Sequence, residues 1–223
     1  MNCRLMMGVL AMMGLSIGTH AAECPLKPLT GAVCGFENLA RPAHVHGMRG
    51  FHPSVGGTDD TRFTCAVTDD AFVFRFEVVD ATVCAAASHA DKKAVNTCDR
   101  VELFFSATPE VKGAYYCAEI DPHGLVMDYC GHLYRKLDFS WSFKTMKIHP
   151  APMAGGYVIS GSVSRKELAD LGIDLAAFGL GVFRADFDQG KLVSWCSAVP
   201  MPDPAKPDFH VPGMFFWFRG GGE

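Results

Sequence analysis

After residue 17 the chain has no apolar run long enough to cross a bilayer, no polybasic cluster, no CxxC pair and no GxSxG. The first absence argues against a membrane-spanning helix, which needs about 20 apolar residues. The second, with a formal net charge of −4, argues against nucleic-acid binding and against an anionic membrane surface, since both run on Lys and Arg. Lack of CxxC removes zinc-knuckle and thioredoxin-type readings, and lack of GxSxG removes the nucleophile elbow. Helical patterning is equally scarce. Only "SRKELADLG", Ser164 to Gly172, reads as a helix, with Ser164 as N-cap, Glu167 three residues on and Gly172 as the stop.

The N-terminus carries Arg4, a short apolar run from Leu5 to Ile17, and small residues Thr19 and Ala21, which together predict an export signal cleaved after Ala21. A lipoprotein site is disfavoured because Glu23 precedes Cys24. The mature chain is therefore expected to be secreted or periplasmic. It keeps eight cysteines: Cys24, Cys34, Cys65, Cys84, Cys98, Cys117, Cys130 and Cys196. An even count in an exported chain predicts structural disulfides, up to four, with a connectivity that spacing leaves open.

Strand signals then recur at short intervals. A Pro- and Gly-containing lead-in, residues 22–57, is expected to be a disulfide-tethered part of the same domain. "RFTCAV" and "AFVFRFEVV" follow, then "DRVELFFS", the pair "AYYCAEI" and "LVMDY" around the turn "DPHG", "GYVISGSVS", "LGVFRADF", "LVSWCSAV" and "MFFWF". Pro second and Gly fourth in the turn favour a hairpin. The series predicts an all-β fold, an antiparallel β-sandwich of jelly-roll or immunoglobulin-like type with one short helix, over residues 58–219. Residues 220–223, "GGGE", read as a disordered tail.

"DRVELFF" shows period-two alternation most clearly. Val101, Leu103 and Phe105 form an apolar face, whereas Arg100, Glu102 and Phe104 mix charge with a ring. That second face reads as functional or partly covered. Other candidates are weaker. "HVH" puts His44 and His46 on one side of an extended segment, a spacing metal sites use, but fixes no third ligand. Carboxylates at Glu102, Glu119, Asp121, Asp128, Asp186 and Asp188 have no spacing that pairs two of them across a cleft, so catalysis is not favoured. "DFDQG", with Asp186 and Asp188, resembles half a calcium loop but is too short to establish one. Trp195 and Trp217 read as core, and Trp141 as either core or a sugar-stacking ring.

The order "FRFEVVD", "DRVELFF", "YYCAEIDPHGLVMDY", "GYVISGSVSRKEL", "FRADF" and "PDFHVP" resembles the family 9 carbohydrate-binding modules, β-sandwich domains of secreted glycan-degrading systems. The resemblance covers about residues 58–219. It implies a non-catalytic protein that binds a polysaccharide or oligosaccharide, works beside a separate glycoside hydrolase and carries structural calcium. It places Glu102 in a ligand groove, Asp99 and Arg100 at the entrance, Glu119 and Asp121 along the next hairpin, and Phe209 as one of two rings that clamp a sugar. Asn96 stands where the second ring is expected, with Tyr115, Tyr116, Tyr134 or Trp141 as substitutes. Arg184 is either ligand-facing or buried against an acidic partner. Two further readings remain open. One is a haem-binding cytochrome domain of the wider superfamily, with Met127, His123, His132 or Met153 as candidate ligands. The other is an interaction domain that has lost its groove.

Overall fold

In this computed structural model, residues 21–30, 33, 35–36, 44–54 and 59–220 are described. Residues 1–20 of the expected signal, Cys34 and tail residues 221–223 lie outside them.

Alternation of apolar and polar residues produces the strands. On β5 (Ala71–Val79), Phe72, Phe74, Phe76 and Val78 are buried, while Val79 on the opposite side is exposed. Beside it run β4 (Arg62–Val67) and β11 (Gly156–Ser164), both antiparallel to it. With β1 (Lys27–Pro28), β2 (Val45–Arg49) and β10 (Lys147–Met153) they make a six-stranded sheet in the order β1-β2-β4-β5-β11-β10. The second sheet runs β3 (His52–Pro53), β13 (Lys191–Ser197), β12 (Ala177–Asp188), β6 (Arg100–Ser106), β7 (Ala114–Ile120), β8 (Val126–His132) and β9 (Lys136–Asp138), with β14 (Phe216–Arg219) also paired to β12. The architecture is an antiparallel β-sandwich. Parts of the lead-in belong to it, since β1 and β2 extend one sheet and β3 the other.

Val101, Leu103 and Phe105 of β6 face the six-stranded sheet, and the Phe105 ring meets Phe72 edge-on at 5.5 Å. The short helix α1 (Arg165–Asp170) starts where its cap predicts, with the Glu167 N–H donating to Ser164 Oγ at 3.1 Å. Glu167 does not close a full capping box. Its carboxylate instead accepts from the Lys144 and Thr145 N–H groups, at 2.6 and 2.8 Å, and ties down the loop that contains Trp141. β10 carries Pro150 and Pro152, which hid it as a strand in the sequence; it lies at a sheet edge, where a missing N–H is tolerated.

The disulfide expectation is corrected for the seven described cysteines. Cys24, Cys65, Cys84, Cys98, Cys117, Cys130 and Cys196 are all free thiols. Cys117 pairs in register with Tyr129, and Cys130 with Tyr116, so sulfurs on neighbouring strands leave the sheet on opposite faces. Cys65 and Cys117 are fully buried and pack as small apolar groups. Burial pushes the Cys196 thiol up to about 12.

Arg184 ties the two sheets together. From β12 it points between them, with Nη1 2.6 Å from Asp59 and Nη2 2.7 Å from Asp80, the residues just before β4 and just after β5. Asp186 adds a contact at 3.2 Å. Arg184 is thus the buried, acid-paired arginine of the two alternatives. Replacing it with Met strands these carboxylates in the interior. The expected loss is about 3–5 kcal/mol, the usual result of removing one member of a buried ion pair. Urea unfolding of Arg184→Met measures it, and a loss below about 1 kcal/mol would contradict this role.

Candidate functional site

The outer face of the second sheet is also covered. Phe104 meets Phe183 at 4.9 Å and His210 at 5.2 Å, and the segment from Val199 to Phe215 folds over it. Beside this cover a cavity of about 160 Å³ stays open, lined by residues that include Asn96, Arg100, Glu102, Glu119, Tyr129, Trp195 and Phe209. Strand register explains the convergence. Glu102 stands opposite Glu119 on β7 and Phe183 on β12, and Ala185, opposite Arg100, also faces Trp195.

One guanidinium serves two carboxylates here. Arg100 Nε lies 2.9 Å from Glu102 Oε1 and 2.6 Å from Glu119 Oε2. Its Nη1 also donates to the Val95, Asn96 and Cys98 carbonyls, at 3.4–3.5 Å. Tyr129 donates its hydroxyl to Glu119 Oε1 at 2.7 Å. Burial, and then the negative charge of Glu119, push Glu102 up to about 8. Glu119 is raised as well, so the pair holds a proton at neutral pH. His210 is pushed down to about 4 by burial and the nearby Arg135 charge; its neutral ring shares a 2.9 Å hydrogen bond with the Tyr115 hydroxyl.

Two polar atoms in this lining are unmatched. Trp195 Nε1 is a buried donor with no partner among the described residues. Glu119 Oε2 is close to Arg100 but off the N–H direction, so it makes an ion pair without a well-aligned hydrogen bond. Buried polar atoms are nearly always paired, so an unpaired indole N–H and a poorly aligned carboxylate oxygen set this lining apart from ordinary core.

Of the residues singled out from sequence, Arg100, Glu102, Glu119 and Phe209 meet at this cavity, with Asn96 at its edge. Phe209 is half of a stacked pair, lying 4.1 Å from Phe183 at 11°, so one of its ring faces is taken. Four others lie elsewhere. Asp99 accepts the Cys84 and Phe187 N–H groups, both at 2.6 Å, and Asp121 braces the hairpin turn. Trp141 packs on Tyr116, whose side chain leaves the sheet on the face opposite Glu102, and Arg184 points between the sheets. Tyr115 is buried under His210, and Tyr134 is exposed and donates to Asp208. His44 and His46 gain no third ligand among the described residues. Met127 is buried beside Glu119, His123 is exposed in the turn before β8, His132 is exposed at its far end, and Met153 ends β10 on the other sheet. Trp195, Tyr129 and His210 were missed. Trp195 reads as core in the sequence because its strand pattern cannot show that a neighbouring cavity remains open.

The structural calcium implied by the resemblance has a candidate donor set. Oxygens of Asp80, Asp99 and Asp186 lie within 4.8 Å of one another, while Asp188 is not part of the group. Burial raises Asp99 to about 7, with the Asp80 charge adding to it. With Asp59 there are four carboxylates near the single Arg184 guanidinium, which also lies close to the buried Tyr157 hydroxyl without a well-aligned hydrogen bond. All-oxygen donors with surplus negative charge suit a hard cation.

No family model and no curated protein matches the chain. Several solved structures share its fold. A putative carbohydrate-binding protein from Bacteroides uniformis is 17% identical over 76% of this chain and 84% of its own, with a TM-score of 0.61. A family 9 carbohydrate-binding module from Caldicellulosiruptor kristjanssonii, in complex with glucose, is 12% identical over 89% of this chain and 93% of its own, at 0.57. The cellotriose complex of a family 9 module from the same organism is 13% identical over 77% of this chain and 80% of its own, at 0.54. At these identities the likeness establishes a fold like that of family 9 modules.

The raised carboxyls fix a pH dependence. In the folded state Glu102 and Asp99 hold protons, up to about 8 and about 7, that the unfolded chain has already released. Stability from this source is full below the ordinary carboxylate range and is lost as pH climbs through those values. The denaturation midpoint should therefore fall between about pH 5 and pH 8. Glu102→Gln should flatten the decline, because a neutral side chain keeps the site singly charged and leaves Arg100 its Glu119 partner. A midpoint that rises over this window would refute the assignment.

Proposed function

We propose that this chain is an exported, non-catalytic carbohydrate-binding protein that holds one terminal sugar unit of an oligosaccharide or polysaccharide in the Glu102–Trp195–Phe209 cavity. The observation that carries the reading is the unmatched donor–acceptor pair, Trp195 Nε1 and Glu119 Oε2, beside aromatic rings. Sugar hydroxyls both donate and accept, so on a small side-chain shift they can pair with these atoms while the ring's C–H face lies against Trp195 or Phe209. The cavity is small beside typical ligand pockets of about 300–1,000 Å³, which favours a single ring over a threaded chain. The glucose- and cellotriose-bound family 9 modules of the same fold support the choice of ligand class.

A non-catalytic role is supported by the two glutamates. Both are held by one guanidinium on one side of the cavity, whereas glycoside hydrolysis places two carboxyls on either side of the scissile bond. In this reading the protein works beside a separate glycoside hydrolase. Calcium held by Asp80, Asp99 and Asp186 would supply the positive charge that this carboxylate group lacks and brace the strand ends.

Calorimetric titration with glucose, cellotriose and a glycan array tests the sugar reading. Trp195→Phe removes the orphan donor and keeps a ring; Glu119→Gln removes the carboxylate that stays paired with Arg100. Each should weaken binding roughly ten- to a hundred-fold, the cost of losing about 1–3 kcal/mol of hydrogen bonding. The thermal midpoint of Trp195→Phe should hardly change. No binding to any glycan sinks the proposal. For the cation, calcium should raise the thermal midpoint relative to chelator, and Asp186→Asn should abolish that rise; equal midpoints with and without calcium would overturn it.

A further inference from the structure

The connection between β5 and β6 and the turn between β7 and β8 bring three other donors together. His89 comes from the first segment, Asp121 and His123 from the second, and their ligand atoms lie within 4.8 Å of one another. None of the three lines the Glu102 cavity.

Asp121 fixes the geometry. Fully buried, it accepts the His123 and Leu125 N–H groups on Oδ1, at 3.0 and 2.7 Å. On Oδ2 it accepts the Ala86 N–H at 2.9 Å, three residues before His89. One carboxylate thus holds the backbone of both segments that present an imidazole. Gly124, at φ +86°, allows the tight return, and its N–H donates to the Asp121 carbonyl at 3.0 Å. Three hydrogen bonds leave the carboxylate with lone-pair capacity to spare.

The two imidazoles are exposed, with ring centroids 6.5 Å apart and planes inclined at 40°. Neither ring makes a hydrogen bond among the described residues, so their nitrogens are available as ligands. Two imidazoles and one carboxylate form a nitrogen-rich set that suits zinc or copper, in contrast to the all-oxygen group at Asp80, Asp99 and Asp186.

We propose that His89, Asp121 and His123 form a surface site for one divalent transition-metal ion of the zinc or copper class. The remaining coordination positions face solvent and take water or a small external ligand. Binding also clips the β5–β6 connection to the hairpin turn.

The test uses the untagged full chain, stripped with chelator and titrated with zinc by calorimetry and with copper(II) by electron paramagnetic resonance. One ion should bind per chain, with hyperfine structure from two imidazole nitrogens in the copper spectrum. His89→Ala and His123→Ala, both at exposed positions, should each weaken binding about tenfold or more while leaving the metal-free thermal midpoint unchanged. His44→Ala should bind as the parent does. Absence of binding overturns the proposal. So does binding that survives in both His89→Ala and His123→Ala, or that is lost in His44→Ala. Because sugar binding is measured separately at the Glu102 cavity, neither result depends on the other.

Discussion

Successive side chains on β6 must leave the sheet on opposite faces, and on this strand both faces are buried. Val101, Leu103 and Phe105 fill the space between the sheets. Arg100, Glu102 and Phe104 then have nowhere to go but under the Val199–Phe215 cover. Phe104 needs only apolar neighbours there and finds Phe183 and Phe215. Charged groups need partners as well as space, so the same cover that buries Phe104 forces Arg100, Glu102 and Glu119 into one ionic cluster.

Both buried arginines are outnumbered by their carboxylates. Arg100 faces two and Arg184 at least three, so each cluster carries surplus negative charge in a poorly polarisable interior. The surplus appears as protons held where water would release them, at Glu102 and at Asp99. For stability alone this is a poor arrangement, since apolar residues of similar volume would fill either position at lower cost. The cost is understandable if the groups meet something from outside. Low dielectric makes an unmatched hydrogen-bonding atom expensive, and equally makes its pairing with a ligand strong. In the proposed reading that outside group is a hydroxylated ring at the Glu102 cavity and a cation at Asp80, Asp99 and Asp186.

What the sequence could show followed the range of each interaction. Strand faces are local, so β4, β5, β7 and β11 are readable residue for residue from alternation. The helix cap at Ser164 is local too. Which arginine would neutralise Glu102 was also within reach: Arg100 stands two residues away and must share its face. Arg184 was the harder case, because its acids, Asp59 and Asp80, lie more than a hundred residues earlier. Trp195 was illegible for a different reason. Its strand is half-buried like any other, and only the path of the Val199–Phe215 segment puts Trp195 on a cavity wall with its indole N–H buried and unpaired. The cysteines misled because an even count reflects compartment statistics, whereas bonding depends on geometry; Cys117 and Cys130, on neighbouring strands, leave the sheet on opposite faces.

Asn96 sets the character of the site. A ring at that position would let two aromatic walls grip a sugar, with stacking supplying much of the affinity. Here Asn96 borders the cavity, and Phe209, the surviving wall, has one face committed to Phe183 at 4.1 Å. Trp195, tilted 43° to Phe209, adds an edge and a donor more than a parallel platform. In the proposed sugar site, stacking is therefore weakened and directional hydrogen bonding, through Trp195 and the Arg100–Glu102–Glu119 cluster, would carry more of the recognition. Stacking tolerates any sugar with an apolar face, whereas buried hydrogen-bonding groups reject a ligand that leaves them unpaired. Under the proposed sugar reading, Asn96 at this edge in place of a ring favours selectivity among hydroxyl configurations over affinity.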